Sequence, residues 1–198
     1  MLQSQKYNTT GICWYAGIPG AGKTTRAIEE ARTISSATGR PILAIDPARV
    51  EQFTGSDWQR AKTVDECIAL TWKDGRHTVF TPNDEMEAEA IFGAVNEAGG
   101  VVLLIDEAHY YLSAHYLSPN LSKIMRAYRH LKLKIILTTQ NFGDIPQRAL
   151  GQAPHLYIGR QTAPLVLDRL EKQYGLDPQK IRNIPKYEFV HFFDGFSS

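Results

Sequence analysis

Short apolar runs recur along the chain, each followed by glycine or polar residues and separated from the next by a longer amphipathic stretch. The runs at 12–17, 41–46, 77–81, 101–105, 134–139, 156–160 and 188–193 predict strands. Between them, helical spacing covers 23–37, 83–98, 118–131 and 165–174, with a weaker stretch at 64–72. Asn83-Asp84-Glu85 opens its helix with acids at the positive dipole end, and Gly99-Gly100 closes it. Val101 to Ile105 are five consecutive aliphatic residues, the pattern of a strand covered on both faces. Strands alternating with helices predict an α/β fold, a mostly parallel sheet with helices on both sides. No repeat, low-complexity tract or linker divides residues 1–198, so one domain is expected. Within it, 1–10 read as an N-terminal extension, and 161–198 supply a last helix and strand.

Composition narrows the picture. Hydrophobic residues make up 43% and charged residues 22%, which excludes a disordered chain. Lys and Arg number 22 against 21 acids, a formal charge of +1, so any nucleic-acid contact must come from a local patch. Cys13 and Cys67 stand apart with no CxxC pair, which argues against a cysteine-rich zinc site and for reduced thiols. No apolar run approaches 18 residues and the first ten lack a signal-peptide core. The expectation is a soluble intracellular protein without a membrane span.

Gly17-Ile18-Pro19-Gly20-Ala21-Gly22-Lys23-Thr24 matches GxxxxGK[ST] at every fixed position, after an apolar strand and before a helix. The glycines let the backbone curl until successive N–H groups face phosphate oxygens, and the helix N-terminus adds its dipole. Lys23 supplies a charge to the β/γ-phosphates, and the Thr24 hydroxyl can ligate magnesium. The expected ligand is a nucleoside triphosphate. Asp106 and Glu107 follow the strand at 101–105, on the edge where open α/β sheets hold ligands. Asp106 suits a magnesium ion, and Glu107 suits a base beside an attacking water, which favours hydrolysis over phosphotransfer. The polar end of the strand at 134–139 would put Thr139 or Gln140 beside the γ-phosphate. Gln140 could sense the phosphate or orient water, or it could simply cap a turn.

Residues 120–134 carry five Lys or Arg, one His and no acid. Arg126 and Arg129 share a helical face with Lys123 a turn before. Three readings stand: contact with nucleic-acid phosphates, an arginine finger reaching a neighbouring subunit, or a solvated face. The stretch 108–116 holds Tyr110, Tyr111 and Tyr116, which could stack on bases or pack on a neighbouring helix or subunit. His109 completes an Asp-Glu-Ala-His string, and no metal-ligand spacing is seen.

Together, Gly17 to Thr25, Val101 to His109 and the segment Arg126 to Pro146 resemble the HerA/FtsK superfamily of DNA-pumping ATPases. Within it the chain is most similar to the small genome-packaging ATPases of membrane-containing icosahedral viruses. The zonula occludens toxin-like proteins of filamentous phages are close behind. Arg129-His130, the apolar run ending Thr139-Gln140, and Ile145-Pro146 carry that likeness. The resemblance implies a RecA-like sheet with an extra strand between the phosphate-loop strand and the Asp-Glu strand. The 83 positions separating Lys23 from Asp106 leave room for it. It also implies an ATPase using Mg2+ in a homo-oligomeric ring, usually a hexamer, that moves double-stranded DNA. Capsid-vertex or membrane-associated virion proteins would be partners, in the host cytoplasm or at the packaging vertex. By the same likeness Gly17, Pro19, Gly20, Ala21, Gly22, Lys23, Thr24 and Thr25 hold ATP, and Thr24 and Asp106 hold the metal. Glu107, Lys23, Gln140 as sensor and Arg129 as finger act in catalysis, with Arg126 and Arg148 as other candidates for the finger. A small nucleoside kinase and a nucleotide-gated assembly factor are the competing readings.

Overall fold

A computed structural model describes residues 9–193; part of the expected N-terminal extension (1–8) and the last five residues lie outside them. Eight strands and seven α-helices follow in order: β1 (Gly11–Ala16), α1 (Lys23–Thr38), β2 (Ile42–Ile45), β3 (Trp58–Ala61), α2 (Val64–Ile68), β4 (His77–Phe80), α3 (Glu85–Ala98), β5 (Val102–Ile105), α4 (Pro119–Ala127), β6 (Lys134–Thr139), α5 (Gln147–Leu150), β7 (His155–Ile158), α6 (Pro164–Tyr174), α7 (Pro178–Arg182) and β8 (Val190–Phe193). They form one sheet in the order β3-β4-β2-β5-β6-β1-β7-β8. Only β7 and β8 pair antiparallel.

Alternation along the buried strands feeds two cores. Cys13, Tyr15, Ala44, Leu104 and Ile136 pack under Ala27, Ile28, Ala31 and Ile34 of α1. The opposite positions, including Trp14, Leu43, Leu103 and Ile135, pack against α3, α4 and α6. Helix ends are set by local chemistry. Thr63, Asp84 and Ser118 cap α2, α3 and α4 through side-chain oxygens, and Gly39 closes α1 at φ 71°.

A strand does lie between β1 and β5, as the resemblance implies, but it is β6, from downstream of Asp106. The long segment between Lys23 and Asp106 instead extends the sheet outward through β2, β3 and β4. Two further differences have physical causes. α4 ends at Ala127 rather than near 131, because Lys132 turns to φ 51° and the chain closes through Leu133 N–H to the Tyr128 carbonyl. β3, with sequence WQRA, exposes its two middle residues at the sheet's margin and so lacks an apolar run.

Candidate active site

The C-terminal edge of the sheet gathers the phosphate loop, Asp106, Glu107 and Gln140. β6 hydrogen-bonds to both β1 and β5, so Gly17, Asp106 and Gln140 leave three adjacent strands side by side. The Gly17 N–H donates to the Thr139 carbonyl at 3.2 Å, and the Ile18 N–H donates to the Arg160 carbonyl at 3.0 Å. The phosphate loop is thus tied to the strand on each side of β1. Gly20 and Gly22 sit at φ 76° and 95°, which side-chain-bearing residues rarely adopt. Lys23 is buried, and its ammonium donates to the Ile18 carbonyl at 3.3 Å. Burial lowers its pKa, against the pull of the Glu107 and Asp106 carboxylates.

Asp106 is almost wholly buried and accepts two hydroxyls on one oxygen, from Thr24 at 2.8 Å and Thr138 at 2.7 Å. Thr138 in turn accepts the Glu107 N–H at 3.0 Å. Burial pushes the Asp106 pKa up, and the two hydroxyls only partly oppose it. A desolvated carboxylate bonded to a threonine hydroxyl is a donor set that fits a hard cation such as Mg2+.

Glu107 stands at φ 48°, ψ 52°, a left-handed conformation that costs a non-glycine residue about 1–2 kcal/mol. That turn places its carboxylate where Oε2 accepts the Gln140 N–H at 3.1 Å and meets His109 Nδ1 at 3.2 Å. Burial alone would raise its pKa. The His109 hydrogen bond, the Lys23 charge and the Gln140 N–H outweigh burial and hold it below the usual carboxylate range. The Glu107 carboxylate is thus held in one orientation by Gln140 and His109, on the same sheet edge as the phosphate loop.

The structure brings together Lys23, Thr24, Asp106, Glu107 and the backbone of Gln140, whose residue as a whole is exposed. It does not bring in Arg129. That residue lies in the turn leading into β6, and Leu133 in the same turn pairs with Gly11 at the sheet's N-terminal edge. The six residues of β6, roughly 20 Å at about 3.3 Å per residue, separate the two edges. The Arg129 guanidinium donates to the Tyr128 hydroxyl at 2.9 Å and lies over that ring. Arg126 is exposed on α4 and Arg148 is exposed on α5.

Thr138 is the site residue that sequence reasoning passed over in favour of Thr139 and Gln140. Its signal was a hydroxyl inside a strand whose six residues are all buried. His109 proves a partner of Glu107 as well as of Thr139. Of the three tyrosines, Tyr111 packs edge-on against Phe92 in the core and Tyr116 donates to Glu89 at 3.3 Å. Tyr110 alone is exposed, stacked on His109.

The family model for zonular occludens toxin (Zot) matches residues 11–172. No curated protein sequence matches the chain. Among solved structures, the genome packaging NTPase B204 of Sulfolobus turreted icosahedral virus 2 is similar in two complexes. The sulfate complex has a TM-score of 0.77 at 20% identity, covering 96% of this chain and 94% of that one. The complex with ATP-gammaS has a TM-score of 0.75 at 20% identity, covering 94% and 93%. The bacterial conjugative coupling protein TrwB, lacking its first 70 residues, has a TM-score of 0.62 at 10% identity, covering 93% and 82%. At these identities the likeness establishes the fold, a RecA-like P-loop NTPase.

Proposed function

The chain belongs to the zonular occludens toxin (Zot) family, and from that premise we propose that it hydrolyses ATP to drive double-stranded DNA. The reading extends to packaging of a viral genome into a preformed capsid, by a homo-oligomeric ring of six subunits at a capsid vertex or in the host cytoplasm. Its partners there are capsid-vertex or membrane-associated virion proteins. The observation that carries hydrolysis is the Glu107 carboxylate, held by Gln140 and His109 beside a phosphate loop of matching sequence. Among the described residues no helix is long and apolar enough to cross a membrane.

The backbone from Gly17 to Thr25 would cradle the phosphates, and Lys23 would set its ammonium against the β/γ oxygens. Thr24 and Asp106 would hold Mg2+, which when bound neutralises phosphate charge. Glu107 would take the proton of the attacking water as the water's oxygen bonds to the γ-phosphorus and the bond from that phosphorus to the β–γ bridging oxygen breaks, its electron pair leaving with ADP. Gln140 senses the γ-phosphate, its N–H fixing Glu107 while its amide side chain remains exposed for phosphate or DNA. Arg129 sits on the edge away from its own phosphate loop, so it acts as a finger across a subunit boundary, with Arg126 and Arg148 as the other candidates. Lys123, Arg126 and the neighbouring bases give the ring its phosphate-contacting surface.

ATP hydrolysis measured against protein concentration, with and without linear double-stranded DNA, tests this reading. The per-subunit rate should climb with concentration and climb again with DNA. A flat rate that ignores DNA would mean each subunit works alone, against both the ring and the motor.

A further inference from the structure

The chain between α7 and β8 runs back over the phosphate loop, a placement that the sequence pattern does not announce. Arg160 holds it at one end, donating from Nε to the Ile184 carbonyl at 2.9 Å. The Tyr187 N–H then donates to the Ala21 carbonyl at 3.1 Å, so this strap is bonded to the loop's own backbone. Tyr187 adopts φ 68°, a left-handed conformation that a tyrosine adopts only under constraint. Its ring lies directly on Gly22; a Cβ built there would come within 2.3 Å of the ring. Gly22 therefore serves the strap as well as the phosphate turn. Tyr187 as a residue is 54% exposed, and the Lys186 ammonium lies 4.8 Å from its ring centroid.

Direction decides what this ring can meet. Asp106 and Glu107 fix the γ-phosphate end of a bound nucleotide on the β5–β6 side of β1. The strap lies on the other side, where β7 flanks β1 and Arg160 bonds both Ile18 and Ile184. A triphosphate laid along the loop from Glu107 sends its nucleoside toward that flank. Gln161, the residue after Arg160, is 2% exposed with its Nε2 unpartnered among the described residues, a donor still lacking an acceptor.

We propose that Tyr187, on the 184–189 strap, is the stacking platform for the nucleotide's base, with Lys186 and Gln161 supplying donors to the nucleoside. The proposal rests on the reading of the phosphate loop as an NTP site. Stacking acts on a base and not on phosphates, so it predicts a split between two ligands. Calorimetric titration of the wild type, Tyr187→Gly and Tyr187→Phe with Mg2+ and either ATP or inorganic tripolyphosphate reads that split. Tyr187→Gly should weaken ATP about tenfold and leave tripolyphosphate within about twofold, while Tyr187→Phe keeps ATP affinity. Glycine also relieves the left-handed backbone, so thermal stability should not fall and misfolding is not the explanation. Equal losses for both ligands, or no loss, would overturn the platform. Tighter ATP binding by Tyr187→Gly would also overturn it, by showing that the ring obstructs the site. A wild type that binds tripolyphosphate as well as ATP removes the platform alone, whereas one that binds neither removes the nucleotide reading with it.

Discussion

Two buried charge clusters lie on the same sheet and are built on opposite principles. At the N-terminal part of β6, Lys134 and Glu30 pair at 2.7 Å, and both are nearly inaccessible. The Tyr15 hydroxyl donates to Glu30 at 2.6 Å, and the Cys13 thiol lies 3.6 Å from the same oxygen. Burial works against both charges, yet each holds the other ionised: Glu30 sits below its ordinary pKa and Lys134 above its own. At the C-terminal edge Lys23, Asp106 and Glu107 share a site where two carboxylates face one ammonium. There burial wins for two of the three, lowering Lys23 and raising Asp106. The first cluster is complete as it stands. In the second, among the described residues, carboxylates outnumber the ammonium they face.

The comparison is broken most sharply at the base. Glu107→Gln should cut ATP turnover by about 10²–10⁴-fold while nucleotide binding persists, measured by steady-state hydrolysis beside calorimetric binding. Loss of binding in step with turnover would make Glu107 a structural acid instead.

Stability should separate the clusters next. Lys134→Met leaves Glu30 buried without its cation and should cost about 3–5 kcal/mol in denaturant unfolding. Asp106→Asn keeps an oxygen to accept from Thr24 and Thr138 and removes a buried charge. It should hold or gain about 1 kcal/mol without ligand, yet lose Mg2+-dependent nucleotide binding. Equal destabilisation by the two would erase the distinction.

Acid titration of stability carries opposite signs at the two sites. Glu30 has a depressed pKa, so its contribution is present above its ordinary value of 4.5 and is lost as pH falls through the lower folded value. Asp106 has a raised pKa, so its ionisation penalises the folded state increasingly as pH rises past its ordinary 3.8. Denaturation curves of Glu30→Gln should therefore lose acid sensitivity. The advantage of Asp106→Asn should appear only as pH climbs above that range.

A smaller loss than that of Lys134→Met refines the complete cluster. Tyr15→Phe removes one hydrogen bond to a charged acceptor and should cost about 1.5–3 kcal/mol, with no change in the ATP KM.

Much of this contrast was legible in the sequence and part was not. The phosphate loop and the Asp106-Glu107 pair were readable because each follows an apolar strand directly, so local pattern and function coincide. The α/β fold was readable from the same alternation. A strand between β1 and β5 was implied by resemblance alone, with room looked for before Asp106; that it is β6 was hidden, since strand order depends on contacts far apart in sequence. Thr138 was hidden because threonine is an ordinary strand former, and only register shows that its hydroxyl meets Asp106. Arg129 carried a functional expectation that β6 places on the far edge. The 184–189 strap escaped altogether, because it is a turn whose partner lies more than 160 residues earlier.

β6 has a mechanical consequence. It is bonded in parallel to β1 over six residues and to β5 over four, and it joins the Gln140 end to the basic turn at 129–132. A force applied between those ends runs along the strand and loads both ladders in shear, so their hydrogen bonds resist together. β6 is thus a stiff strut rather than a spring. Displacement at the phosphate edge would reach the basic turn as rigid translation, with any compliance confined to the loops at its two ends.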